Sequence, residues 1–229
     1  MNKWKNIWDR RNITQDTVSN LQKLISIDGF DTGYGTISED EWLCYVTYIQ
    51  NKLKMKSNDS IYEVGCGAGA FLYPFYKKYL IGGLDYSDKL IQTAKEYLPK
   101  GSFKVTEAVQ CPIEVKYDYV ISNSVFFYFD SYEYAERVLE KMITKATKGI
   151  AVLEVNDYEK IEESMKLRKG YLSDEEYTER YEGLEHLYYK KQWFIEIAKK
   201  HNLEIEIEQQ NINNYANNIY RFNVFMFKK

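Results

Sequence analysis

IYEVGCGAGAF, Ile61 to Phe71, is a short apolar strand that runs straight into three glycines on alternate positions, Gly65, Gly67 and Gly69. An acid, Glu63, stands two residues before the first of them. Glycine lets backbone pass close to a ligand where a Cβ would collide. A strand-to-helix turn also aims unpaired N–H groups and the positive end of a helix at whatever sits there. The stretch therefore predicts a cofactor cradle, followed by a helix over Ala70 to Lys78.

Downstream of the cradle, strand and helix patterns alternate. Strands are expected at Leu80–Leu84, Phe103–Thr106, Tyr117–Ser122 and Gly149–Val155. Between them, Ser87 caps a helix with Leu90, Ile91, Ala94 and Leu98 as its stripe, and Ala135, Val138, Leu139, Met142, Ile143 and Ala146 mark another. Such alternation implies parallel βαβ units with helices on both faces. The end differs: Leu203–Gln209 alternates with period two, and Tyr220–Phe227 follows after about ten residues, too few for a crossover helix. These two pair as an antiparallel hairpin. The expected fold is α/β: a Rossmann-like, doubly wound, seven-stranded sheet, mostly parallel, with an antiparallel C-terminal hairpin strand.

Upstream, the first 55 residues read as helical. Trp4, Ile7, Trp8 and Arg11 recur at helical spacing, and a Gly-rich loop, Asp28 to Thr36, breaks the pattern. Ser38 and Glu41 then match a capping box, with Trp42, Val46, Ile49 and Leu53 on one face. One domain over 1–229 is expected, with 1–37 as a helical lid and 156–189 as a helical insertion over the active face.

Composition narrows the function classes. The chain has 229 residues, is 45% hydrophobic and carries a net charge of −3, without a basic stripe for a nucleic acid. No run approaches the roughly 20 apolar residues of a membrane helix, and the start MNKWKNIWDRRN has no apolar leader core. Cys44, Cys66 and Cys111 are unclustered, which suits free thiols in a reducing cytoplasm and provides no zinc site. No His, Asp and Glu set has metal-ligand spacing, so no metal is expected.

A Gly-rich turn with Asp85 at the end of the second strand serves either NAD or S-adenosylmethionine, since a carboxylate there accepts both ribose hydroxyls. Three features separate the two. Glu63 would face a pyrophosphate in a dinucleotide fold but suits a cationic ligand. The spacing is G-x-G-x-G, and a terminal antiparallel hairpin is foreign to dinucleotide folds.

EVGCGAGAF, GLDYSDKLI (83–91) and KYDYVISNSVFFYF (116–129) resemble successive motifs of class I S-adenosylmethionine-dependent methyltransferases, over residues 38 to 229. More loosely, GFDTGYGTISEDEW, HLYYKKQWF and YRFNVFMFKK resemble methyltransferases of bacterial capsule and lipopolysaccharide clusters. The resemblance implies S-adenosylmethionine as cofactor and S-adenosylhomocysteine as product. It places Gly65, Cys66, Gly67 and Gly69 along the methionine and ribose, with Glu63 on the amino group and Asp85 on the ribose diol. Tyr86 lies along the adenine, Glu107 and the Ala108 N–H take its edge, and Asn123 offers its carbonyl near the sulfonium.

The N/D-P-P-Y/F motif used on amide and nucleobase nitrogens is absent, because the fourth strand continues as Ser122-Asn123-Ser124-Val125. A hydroxyl acceptor needs a base, and of two histidines His186 precedes the last helix on the substrate side, as base or lid, while His201 sits at that helix's far end. Tyr34, Phe127, Tyr128, Tyr215 and Asn217 are the expected substrate wall, with Trp8 and Phe126 beside them. Aromatic faces over polar groups suit sugar rings. The expected function is methyl transfer to a hydroxyl, or a phosphoramidate-type oxygen, of a sugar or nucleotide-linked polysaccharide precursor. The alternatives are a silent S-adenosylmethionine-binding module and an NAD-dependent oxidoreductase.

Overall fold

The computed structural model describes residues 3–10, 18–30 and 37–229. Seven strands form one sheet: β1 (Ser60–Val64), β2 (Leu80–Asp85), β3 (Ser102–Val105), β4 (Tyr117–Asn123), β5 (Ala146–Asn156), β6 (Glu204–Gln209) and β7 (Arg221–Phe227). Their spatial order is β3-β2-β1-β4-β5-β7-β6. The pairs from β3 through β5 are parallel, and β7 runs antiparallel to both β5 and β6. The expected hairpin thus forms, with its second strand inserted between the first and the parallel sheet.

Eight α-helices accompany the sheet among the described residues: α1 (Lys3–Trp8), α2 (Asn20–Ile27), α3 (Glu39–Lys52), α4 (Asp88–Tyr97), α5 (Tyr132–Lys145), α6 (Ile161–Lys169), α7 (Asp174–Tyr181) and α8 (Lys191–Lys200). Alternation of side chains along β1 divides the core. Ile61 joins the cluster that holds α2, α3 and α4, whereas Tyr62 and Val64 join the one that holds α5 and α8. The Ser38–Glu41 capping box starts α3, whose Trp42, Tyr45, Val46 and Ile49 are all buried. Trp42 is fully buried, which contributes about 2–3 kcal/mol, and its indole N–H is satisfied by the Ala70 carbonyl at 3.0 Å.

One expected element does not form. Residues 70–79, read as a helix, are a series of turns. Their N–H groups reach back by four residues at Tyr73 and Tyr79 but by three at Phe75 and Lys78. Pro74 lies in the middle, where it has no N–H to give and its ring crowds the preceding turn. The cradle therefore rests on individual backbone N–H groups, not on a helix dipole.

The expected insertion at 156–189 contains α6 and α7 and then returns to the sheet. Asp157 bridges to Tyr189, and the Leu187 N–H donates to the Phe127 carbonyl at 2.9 Å. Its far end meets the N-terminal segment, where the Lys3 ammonium donates to the Glu182 carbonyl at 2.5 Å.

Candidate active site

Strand order reverses between β1 and β4, and a cavity of about 330 Å³ opens there at the carboxyl ends of β1, β2 and β4. This is where open α/β sheets bind ligands. The glycine turn forms its floor. The N–H groups of Gly65 and Cys66 both donate to the Leu84 carbonyl at 2.8 Å, which locks the turn to β2.

The glycines act differently from the expectation. Gly67 has φ +52°, and a Cβ there would stand 2.3 Å from an Asp28 carboxylate oxygen; at Gly65 it would stand 2.5 Å from Val125. Protein atoms, not a ligand, fill the space that the missing side chains leave. A Cβ at Gly69 would stand 2.3 Å from Leu98, and Gly69 is not among the residues that line the cavity.

Asp28, just after α2, is a residue the sequence reading missed. Its carboxylate accepts from the N–H of Ala68 at 2.6 Å and of Ala70 at 3.0 Å. It holds the glycine turn from the outside and reaches the cavity wall. Its place in a Gly-rich loop was a faint signal; nothing in the spacing ties it to a turn forty residues on.

Asp85 closes β2, buried, with one oxygen accepting from Gly67 N–H at 3.1 Å and the other from Ser87 N–H at 2.9 Å. Burial drives its pKa up to about 6, against the pull of those two hydrogen bonds and with the help of Asp9 and Glu107. Glu63 is also buried, and its Oε2 has no hydrogen-bond partner among the described residues. Burial, reinforced by Asp28 and Asp85, pushes its carboxyl well above the usual range.

The charge balance follows from these groups. Asp28, Glu63, Asp85, Glu107 and Asp130 line the cavity, and no Lys, Arg or His does so among the described residues. A pyrophosphate would meet repulsion from these carboxylates, whereas a ligand with cationic centres would be attracted by them. Cys66, Tyr86, Ala108, Asn123 and Tyr128 line the same cavity, together with Trp8, Phe30, Trp42 and Phe71. Glu107 accepts from the Tyr134 hydroxyl at 3.4 Å, and Asn123 from the Tyr45 hydroxyl at 2.9 Å.

The expected acceptor wall separates into parts. Tyr128 lines this cavity and a neighbouring one. His186 lines only the neighbour, stacked on Trp4 with ring centroids 5.3 Å apart and flanked by Phe127 and Tyr128. Burial, with Arg168 and Arg221 nearby, keeps its imidazole neutral well below the usual pKa. Phe127, Tyr215 and Asn217 lie outside the first cavity; Tyr34 falls outside the described residues.

The comparisons agree with this geometry. The sequence model of the methyltransferase domain family matches residues 55–209. Magnesium protoporphyrin IX methyltransferase from Synechocystis, solved with bound S-adenosylhomocysteine, superposes with a TM-score of 0.63 at 17% identity, covering 100% of this chain and 95% of that one. The plantazolicin methyltransferase, solved with a desmethyl-plantazolicin analogue and S-adenosylhomocysteine, gives 0.62 at 18% identity with both chains fully covered. Malonyl-acyl-carrier-protein O-methyltransferase 1 of Ilyobacter polytropus is 37% identical over 81 residues, 33% of this chain and 30% of that protein. The matches span about a third of the length of the curated relatives.

Fold and strand order are those of the class I S-adenosylmethionine-dependent methyltransferases. The chain belongs to the methyltransferase domain family. S-adenosylmethionine is the cofactor these residues fit: the orphaned Glu63 carboxyl suits its ammonium, and Asp85 has lone pairs left for a ribose diol.

Two outcomes follow. Gly67→Ala, forced into a left-handed conformation against Asp28, should lose about 1–3 kcal/mol of stability in denaturant titration; wild-type stability would contradict the packing described. Because a ribose hydroxyl donates best to an ionised carboxylate, S-adenosylhomocysteine affinity should be higher above the Asp85 pKa of about 6 than below it. Below it, affinity should fall by up to about tenfold per pH unit, while a flat calorimetric profile from pH 5 to 8 would exclude Asp85.

Proposed function

We propose that this chain transfers a methyl group from S-adenosylmethionine to an oxygen of a small molecule. The observation that carries the reading is the acidic cavity at the β1–β4 switch point, with no Lys, Arg or His lining it among the described residues and with Glu63 Oε2 left without a hydrogen-bond partner there. When bound, the cofactor supplies an electrophilic methyl carried on a sulfonium. The residues of the chain do the rest: Glu63 holds the ammonium, Asp85 the ribose, Glu107 and Ala108 the adenine edge against Tyr86, and Asn123, fixed by Tyr45, stands beside the methyl position. In-line transfer needs chiefly approach geometry, and Trp8, Tyr128 and Ser124 supply the wall on the acceptor side.

The finer substrate reading is a hydroxylated ring such as a sugar or a nucleotide-linked polysaccharide precursor. Support comes from the aromatic faces of Trp8 and Tyr128, whose ring centroids are 5.8 Å apart, with Asn123 and Ser124 as polar partners. Residues 1–229 act in this reading as one domain, with 1–37 as cap and 156–189 as insertion. His186 belongs to the wall: Trp4, Phe127 and Tyr128 pack around its ring, in the cavity next to the cofactor's.

Asp85→Ala should weaken S-adenosylhomocysteine binding by about 1–3 kcal/mol, and unchanged affinity would refute its role. For His186→Ala, a wall residue predicts a higher acceptor KM and a kcat reduced by less than about tenfold. A fall in kcat of about a hundredfold at unchanged KM would make His186 the general base instead.

A further inference from the structure

Where the carboxyl end of β5 meets the amino end of antiparallel β7, beyond the cofactor cavity, lies a buried polar cluster that the roles above do not use. Glu154 is fully buried and Arg221 is 8% exposed. Arg221 Nη1 pairs with Glu154 and also donates to the Tyr215 hydroxyl at 2.8 Å, while Nε donates to Asn156 at 3.2 Å. Glu154 in turn accepts from Tyr215 at 2.8 Å, from Gln210 at 2.7 Å and from the Ser124 hydroxyl at 3.4 Å. Its carboxylate is thus fully engaged. Arg221 Nη2 has no acceptor among the described residues and, unlike Glu63 Oε2, is not sealed from solvent, although the side chain as a whole is about nine-tenths buried.

A guanidinium held in place through its other nitrogens, with this one left open, can donate to an anion that enters. Two further features mark the place. Ser124 and Glu154, at neighbouring strand ends, both hold left-handed backbone, with φ of 61° and 64°. Such conformations persist in non-glycine residues where the surroundings impose them, and they cluster at binding sites. Ser124 also joins the cluster to the cofactor cavity, which it lines. Arg221 is stacked over Phe127, 4.6 Å from its centroid, and Phe127 is 4.2 Å from the ring of Tyr128 on the cavity wall. Burial works against its charge, but Glu154, Tyr215 and Tyr128 outweigh that, so it stays cationic.

We infer that the methyl acceptor carries a carboxylate, and that Arg221, set by Glu154 and Tyr215 and backed by Phe127, is its anchor through Nη2. This rests on the methyltransferase reading of the adjoining cavity. A carboxylate oxygen makes a charge-assisted hydrogen bond with Nη2, about twice as strong as a neutral one. Glu154 already offsets the guanidinium charge, which favours a monoanion over a phosphate dianion. A hydroxylated ring bearing an acid, of the uronic class, meets both the aromatic wall and the anchor.

The test uses the full chain saturated with S-adenosylhomocysteine and ligand-observed NMR with matched probes: glucuronate against glucose, benzoate against benzyl alcohol, succinate against butanediol. At least one acid should bind about tenfold or more tightly than its neutral partner. Arg221→Met alone strands the buried Glu154 charge and is expected to unfold. The double variant Arg221→Met with Glu154→Gln removes both charges and should abolish the preference, with S-adenosylhomocysteine affinity kept. Arg221→Lys, which retains charge but loses the fork, should weaken it. No acid preferred over its partner, or a preference that survives in the double variant, overturns the anchor. Failure of the wild-type chain to bind S-adenosylhomocysteine would instead overturn the cofactor reading on which the anchor depends.

Discussion

Negative charge, with no Lys, Arg or His lining the cavity among the described residues, shapes the site around which this chain is built. Glu63 and Asp85 sit in low dielectric, where an ionised carboxylate is costly unless a proton or a cation compensates it. Both are pushed toward the protonated form, Glu63 strongly and Asp85 to about 6. A cationic ligand relieves that cost and turns a destabilising arrangement into binding free energy. The same groups hold the architecture together. Asp85 clasps the Gly67 and Ser87 N–H groups across β1 and β2, and Asp28 brings the N-terminal helices onto the glycine turn. In the proposed reading, cofactor recognition and local order are carried by the same carboxylates.

The sheet was legible because its signals are local. Alternation marked the terminal hairpin, Ser38 and Ser87 announced two helix starts, and each bonds to the backbone N–H three residues on. Glu63 stood out because a carboxylate is odd at the end of a buried strand. The turn at 70–79 was misread although Pro74 gave warning, since apolar spacing outweighed a single breaker. The glycines were recognised for their conformation, but what fills the place of their Cβ atoms, Asp28, Val125 and Leu98, comes from other segments of the chain and was not legible.

Other parts of the site were hidden for the same reason. Asp28 meets Ala68 and Ala70 across forty residues, and Arg221 reads in sequence as the opening of an ordinary strand. Only the insertion of β7 beside β5 brings Arg221 to Glu154 and Ser124. Tyr215 was expected in the acceptor wall and lies in this cluster, bonded to both charges. The molecule therefore presents an acidic cavity for a cationic donor and, past Ser124, a held guanidinium. Under the proposed reading, that division of charge would let donor and acceptor sort themselves by electrostatics.

The central claim is that the acids around the glycine turn select a sulfonium nucleoside over a dinucleotide. Parallel calorimetric titration of the full chain with S-adenosylmethionine, S-adenosylhomocysteine and NADH tests it most directly. The account predicts binding of the first two in the range of about 1–100 μM and no detectable heat from NADH. Binding of NADH alone would contradict it, because a pyrophosphate would then be tolerated beside Glu63 and Asp85.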